Sequence, residues 1–312
     1  MSARRTKRMH TVPESYFEAF AVDDPSRRGT AGVWRFDRLS AEAKILGVSN
    51  SEVVNNIYTV YSEDGVPDIG IESELLCGIE GSFNAARRFL LEESFLPRRV
   101  PISKEQWAGV ARFIAAQLLR TPRFFQSMRD SLDADGVEYE NDAPPRVMIE
   151  LIGRWIMRLV RMRGIIAFTE TALPFLTSDN PAVMWKKQGD GFAFTNQYDP
   201  ELVVSCPLSP KLLYCAYQTP DSLKAVRAER HDISRAERPS ETFVSHVDFG
   251  SLPEREVKRL NLLCVSSAHR YVYANYCDKP LLNFLHNRFF GARAPVRARD
   301  LQPIGSPVKQ VN

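Results

Sequence analysis

Apolar residues recur along this chain in two rhythms. Over residues 70–164 they fall at spacings of three and four, the period of helices that bury one face. Beyond Gly164 they come as short β-branched or aromatic runs separated by turn residues. The first rhythm predicts three helices. Gly70–Ser94 ends near Pro97. Ser103–Leu132 opens on a serine cap with an early glutamate, and Pro122 should kink or split it because proline lacks the N–H that a helix interior needs. Pro144–Gly164 has proline near its start and glycine at its end, the expected asymmetry. The second rhythm predicts strands at IIAFTET, PFLTS, AVMWKK, GFAFTNQ, LVVSCPL and KLLYCAYQ, with Gly189-Asp190-Gly191 as a hairpin turn. Around these lie a helix Val12–Val22 behind the capping-box pattern Thr11-Val12-Pro13-Glu14, a strand Gly32–Leu39 and a weaker one Asn56–Ser62. A helix Glu254–Ala268, a strand within HRYVYAN and a last helix Lys279–Phe289 follow.

Helices first, then strands, then helix is an α+β order rather than alternating βαβ. The expected architecture is a helical layer (about 70–164) packed on a mainly antiparallel sheet (about 164–275). Residues 1–290 read as a single α+β domain, helical over 70–164 and sheet over 164–290, and 291–312 as a disordered Pro/Arg/Gly tail.

Composition narrows the classes. The chain has 312 residues, 44% of them hydrophobic, enough for a sizeable core. A net charge of +3 is too small to argue for nucleic acid by itself. Basic residues gather at Arg4, Arg5, Lys7 and Arg8, at Arg154, Arg158 and Arg161, and from Arg288 to Arg299; solvated termini and a solvated helix face are the default reading. No stretch approaches the ~20 apolar residues that span a bilayer, so no membrane is expected. The five cysteines contain no C-x-x-C pair, so a reducing, cytoplasmic setting is expected. The phosphate-loop pattern G-x-x-x-x-G-K-[ST], G-x-G-x-x-G, G-x-S-x-G and H-E-x-x-H are all missing from the sequence.

Several segments carry polar residues where burial is expected. Gln117 and Arg120 fall on or beside the apolar face outlined by Trp107, Val110, Phe113, Ile114, Leu118 and Phe124. A buried amide and guanidinium need partners, either a structural carboxylate clamp or an anionic ligand held bidentately. Ser178-Asp179-Asn180-Pro181 interrupts a buried strand pair, either as an Asx-type strand end or as a site facing Arg120. His10 precedes the capping box, where the positive end of a helix disfavours an added positive charge and suits the ring to proton acceptance or metal ligation. Tyr16 offers a hydroxyl one turn on. Glu80 lies on the acidic helix, within about 80° of Glu72 around the helix axis. The remaining histidines, His231, His246, His269 and His286, form no ligand spacing.

Taken in order, HTVPESYFEAF, IESELLCGIEG, FIAAQLLRTP, FLTSDNPAV, CPLSPKLLY and NLLCVSSAHRYVYA resemble the family catalogued as domain of unknown function 4238, over roughly His10 to Asn275. The resemblance supplies no reaction, and whether Glu72 or Glu74 joins Glu80 stays open. Three readings follow. The first is a metal-assisted phosphodiester or nucleotide hydrolase. In it His10, Arg120 and Asp179 are catalytic, Tyr16, Gln117 and Asn180 bind substrate, and Glu80 with Asp179 holds a divalent cation such as Mg or Mn. The second is a non-catalytic module for a small anionic ligand, nucleic acid or peptide. The third is a structural protein whose polar cluster is an internal network and whose function lies in a protein partner.

Overall fold

A computed structural model describes residues 8–23, 31–55, 57–62, 64, 66–68, 70–92, 98–140, 142–189, 191–218 and 246–287. The chain opens with β1 (Arg8–His10), a short helix α1 (Glu14–Phe17) continued by a 3-10 turn (Glu18–Phe20), and β2 (Val22–Asp23). β3 (Ala31–Asp37) and β4 (Glu42–Gly47) form an antiparallel pair. β5 (Val53–Asn55) returns to β1, and β6 (Val60–Tyr61) pairs with β7 (Pro67–Asp68). A π-helical stretch, Ile71–Leu76, runs into α2 (Cys77–Glu92). After β8 (Arg98–Pro101) come α3 (Lys104–Leu119), α4 (Pro122–Ala134) and α5 (Ala143–Leu159). The strands β9 (Arg163–Thr169), β10 (Thr177–Ser178), β11 (Val183–Gln188), β12 (Gly191–Phe194), β13 (Val203–Pro207) and β14 (Leu212–Tyr217) follow. β15 (His246–Leu252), α6 (Glu254–Ser267), β16 (Tyr271–Ala274) and α7 (Lys279–Leu285) close the described chain.

The fold is α+β, with helices packed on sheets that are mostly antiparallel. The seven-stranded sheet runs β12-β11-β13-β14-β9-β15-β8, and only its β15–β9 pairing is parallel. A second sheet, β10-β16-β3-β2 with β4 also on β3, joins the chain's start to its end. Apolar packing fixes the helical layer. Phe83 of α2 and Phe113 of α3 stack with ring centres 3.7 Å apart. Gly109 brings the two backbones close, since a Cβ there would lie 2.7 Å from Ser82 O. Each such buried aromatic contributes roughly 1.5–3 kcal/mol over exposure.

The split at Pro122 occurs as the sequence predicts: α3 ends at Leu119 and α4 begins at Pro122 behind the Thr121 cap. Ser103 caps α3 with Gln106 in a reciprocal box. Three expectations are corrected. The helix Val12–Val22 shrinks to α1 and its 3-10 turn, because Thr11 turns its hydroxyl to Glu52 instead of capping, and Val22–Asp23 pairs with β3. The helix expected to end at Gly164 ends at Leu159. Gly164 lies inside β9, where a Cβ would collide with the Trp107 indole. Asn56–Ser62 holds only the two-residue strand β6, and β4, whose run EAKILG shows no clean alternation, was not expected at all. The expected tail 291–312 lies outside the described residues.

Candidate functional site

Most of the polar residues singled out from the sequence fall into two networks, one on Arg120 and one on Asp179; Thr11, next to His10, bonds Glu52, whose carboxyl feels the Asp179 charge, while Tyr16 and Gln117 stand outside both. The first is centred on Arg120, the residue that ends α3, whose side chain has no exposed surface. Its Nη1 donates to Glu80 Oε1 at 2.8 Å, its Nη2 to the His10 carbonyl, and its Nε to the Tyr58 hydroxyl at 3.4 Å. Tyr58 donates in turn to the Arg120 carbonyl at 2.8 Å. Burial opposes the guanidinium charge, but Tyr58, Glu80 and Glu72 outweigh it and hold the Arg120 pKa above its ordinary value. Glu72, not Glu74, joins Glu80 here: Glu74 is exposed, whereas Glu72 is half-buried, feels Arg120 and accepts the His10 backbone N–H. Burial, with the Glu80 charge behind it, pushes the Glu72 carboxyl up against the pull of Arg120, and Glu72 Oε2 has no partner. The π-helical turn beneath Glu72 is a geometry that recurs at functional sites. The His10 ring bonds outward, Nδ1 to Ser51 O at 3.1 Å. Gln117, one turn before Arg120, is fully buried with both side-chain polar atoms unpartnered.

The second network is built on Asp179, exposed by 1%. Its carboxylate accepts three consecutive backbone N–H groups, from His269 at 2.8 Å, Arg270 at 2.6 Å and Tyr271 at 2.8 Å. Asn180 Nδ2 donates to Ser267 O at 3.2 Å, as Arg123 Nη1 does at 2.6 Å. The Ser-Asp-Asn-Pro segment therefore clamps the turn between α6 and β16, satisfying the orphan groups that a helix end and a strand start expose. Burial raises the Asp179 carboxyl, against three amide donors that favour its charge. Tyr16, sealed by the Phe113 ring, donates to Pro207 O at 2.6 Å and shares a 2.7 Å hydrogen bond with Thr177.

Glu52 is not among the residues singled out from the sequence. It is 8% exposed and sits in the left-handed backbone region at φ 51°, uncommon for a glutamate. Thr11 donates to its Oε2 at 3.2 Å and the Tyr273 hydroxyl to its Oε1. Burial, with the Asp179 charge behind it, pushes the Glu52 carboxyl up to about 8. The only hint was position, a lone carboxylate just before the apolar pair Val53-Val54.

Arg120 and Asp179 thus meet different partners, and so do Glu80 and Asp179, the expected metal pair. Among the described residues no group of three or more His, Cys, Asp or Glu could hold a metal ion. Cys77, at the start of α2, is exposed, and burial together with Glu80 and Glu72 raises its thiol pKa, which disfavours a thiolate nucleophile.

Both networks end at one pocket of about 310 Å³, lined by Val54, Asn55, Ile57, Thr59, Pro122, Phe125, Gln126, Arg129, Pro145 and His269. Tyr58 precedes Thr59. Arg120 stands two residues before Pro122. Asp179 fixes the backbone of His269. Thr59 and Arg129 went unremarked in the sequence, and His269 counted only as one of four histidines without ligand spacing, because nothing local marks a threonine as buried or brings a histidine from the chain's far end to α4.

A family model described as "Protein of unknown function (DUF4238)" matches residues 8–278. Comparison with curated proteins and with solved structures gives no match. Among the described residues no helix is long and apolar enough to cross a membrane.

Proposed function

The chain belongs to the DUF4238 family of proteins of unknown function, and from that premise we propose that it is a non-catalytic module that binds a small anionic ligand. The observation that carries this reading is where the charges sit. Arg120 and Asp179 are sealed and spend their hydrogen bonds inside the fold, while the open pocket beside them displays Asn55, Thr59, Gln126, Arg129 and His269 and, among the described residues, no carboxylate. Buried charges already bonded to fixed partners hold a frame rigid and are expensive to redirect to a substrate. His10, Arg120, Asp179 and Asn180 are then positioning residues: they set the entry to α4, the 57–59 segment and His269 around the ligand. The test is a thermal-shift screen with phosphate, citrate and nucleotides, followed by product analysis. Saturating ligand should stabilise the chain, by about 2.7 kcal/mol at a hundredfold excess over Kd, without consuming it. Turnover of the ligand would sink the reading.

A metal-assisted phosphodiester or nucleotide hydrolase is the second reading, favoured by one observation. The Glu80 side chain is 23% exposed beside Arg120, with the unpartnered Glu72 Oε2 close enough to feel the same charges. In this reading Glu80 with Glu72 approaches Mg²⁺ or Mn²⁺, His10 takes a proton, Arg120 steadies phosphoryl charge, and Gln117 and Asn180 orient substrate. Metal-dependent release of product from nucleotides or nucleic acid, lost in Glu80→Gln, would establish it. Absence of product from the native chain with both metals would remove it.

A further inference from the structure

Resting on the binding reading, we propose that the pocket between the 53–59 segment, α4 and His269 takes a phosphomonoester with a small, partly apolar body.

The donors come first. Thr59 is 7% exposed and lines the pocket, yet its Oγ1 has no hydrogen-bond partner. A buried hydroxyl left unpaired costs about 1–3 kcal/mol, so such a group marks where a ligand atom belongs. Pro122, Phe125, Gln126 and Arg129 recur at spacings of three, one and three, so one face of α4 forms a wall of the pocket from its first turn onward. α4 is 13 residues long, and the positive end of its dipole lies at that first turn. Pro145 of α5 also lines the pocket; Asp142, ahead of that helix, makes no cap hydrogen bond and spends its carboxylate on Arg146 and the Tyr61 N–H, whereas the Thr121 hydroxyl caps α4. Arg129 and the His269 ring stand exposed at the rim.

The shape of the anion follows from the directions of approach. A hydroxyl from the 57–59 segment, a guanidinium from α4, and an imidazole from the α6–β16 turn come from three separate elements. A carboxylate has two oxygens in one plane, whereas a phosphate offers terminal oxygens on several sides; either takes a guanidinium on two oxygens, so it is the spread of the donors that favours phosphate. The body of the ligand follows from the remaining wall. Val54, Ile57, Phe125, Pro122 and Pro145 are apolar, and 310 Å³ lies at the small end of ligand pockets, room for a phosphate and one ring.

The frame is rigid where the ligand needs it. The Tyr58 hydroxyl is tied to the Arg120 carbonyl at 2.8 Å, which locks the residue before Thr59 to the residue before the α4 cap. Asp179 holds the His269 N–H at 2.8 Å. Binding then spends little on ordering the backbone.

The test is calorimetric titration of the full chain with phenyl phosphate, inorganic phosphate and benzoate. Phenyl phosphate should bind at least tenfold more tightly than benzoate, which shares its ring, and more tightly than inorganic phosphate, which lacks it. Thr59→Val and Arg129→Gln should each weaken phenyl phosphate by about tenfold, the worth of one well-placed hydrogen bond or ion pair. Arg129 is exposed, so its variant should keep the native melting temperature and act as the control for folding. Equal affinity for benzoate and phenyl phosphate would overturn the phosphate assignment while leaving anion binding intact. Binding unaltered by both substitutions would overturn the location. No binding of any of the three would end this inference, and citrate or nucleotide binding in the thermal-shift screen would then show whether the broader reading survives.

Discussion

Replacing Glu52 with glutamine should change how stability depends on pH rather than stability alone. Glu52 is buried, and its carboxyl is pushed from an ordinary 4.5 up to about 8 by burial first and the Asp179 charge second. In the unfolded chain it ionises near 4.5; in the folded chain it holds its proton to about 8. Below 4.5 both states are protonated and no penalty exists. As pH rises through that value the unfolded state sheds its proton first, so the favourable contribution is progressively lost and the loss is complete above about 8. At 1.36 kcal/mol per pH unit the interval corresponds to roughly 4–5 kcal/mol as an upper figure, shared with Asp179 because the two carboxyls titrate together. Arg35, Thr11 and Tyr273 face the same group and pull the other way, and their effect is already within the net shift. The lowered carboxyls of Asp37, Asp142 and Asp199 lose their contributions on acidification below the usual carboxylate range, so the window from pH 5 to 8 reports the raised carboxyls of Glu52, Asp179 and Glu72, and the Glu52 share is what the variant removes. Glutamine copies the neutral acid in shape and keeps the same backbone strain at φ 51°. Urea denaturation, followed by the fluorescence of the buried Trp107 and Trp185, should find Glu52→Gln within about 1 kcal/mol of the native chain at pH 5 and more stable by a few kcal/mol at pH 8. Parallel stability curves across that window would refute the reasoning, because they would mean that Glu52 titrates normally in the fold.

Other outcomes follow from the same contacts. Arg120→Ala strands Glu80 and Glu72 without their cation and should cost about 3–5 kcal/mol in denaturation midpoint analysis; an unchanged midpoint would remove Arg120 from the frame. Asp179→Asn faces an amide toward three N–H donors and should cost roughly 2–3 kcal/mol, with faster amide exchange at His269, Arg270 and Tyr271 as its signature in hydrogen-exchange measurements. Gly164→Ala drives a methyl into the Trp107 indole and should destabilise by about 1–3 kcal/mol or more, read from the melting temperature. Tyr16→Phe removes the donor to Pro207 O and the acceptor of the Thr177 hydroxyl, and should cost roughly 1–3 kcal/mol in the same assay, without altering the far-UV spectrum.

The sequence by itself determined the elements whose signal is local. The break at Pro122 follows from a missing N–H within one turn, the Ser103 cap from a box spanning three residues, and β9 to β14 from short apolar runs between turn residues. The α+β order was legible for the same reason, since periodicity is written between near neighbours in the chain. It also marked Arg120 and Asp179 as polar residues in segments that should be buried, with His10, Glu80 and Asn180 as further candidates, but it left their partners open. Only the tertiary structure decided those, because each partner is distant along the chain: Arg120 finds Glu80 across 40 residues, Asp179 finds His269 across 90, and Tyr273 finds Glu52 across 221. The Gly164 strand and the burial of Thr59 were decided the same way, by the Trp107 ring in one case and by the meeting of a loop, a helix and a far turn in the other. A buried polar group must be satisfied by whatever the fold brings beside it, and that neighbour is set by the packing of whole elements rather than by the residues on either side.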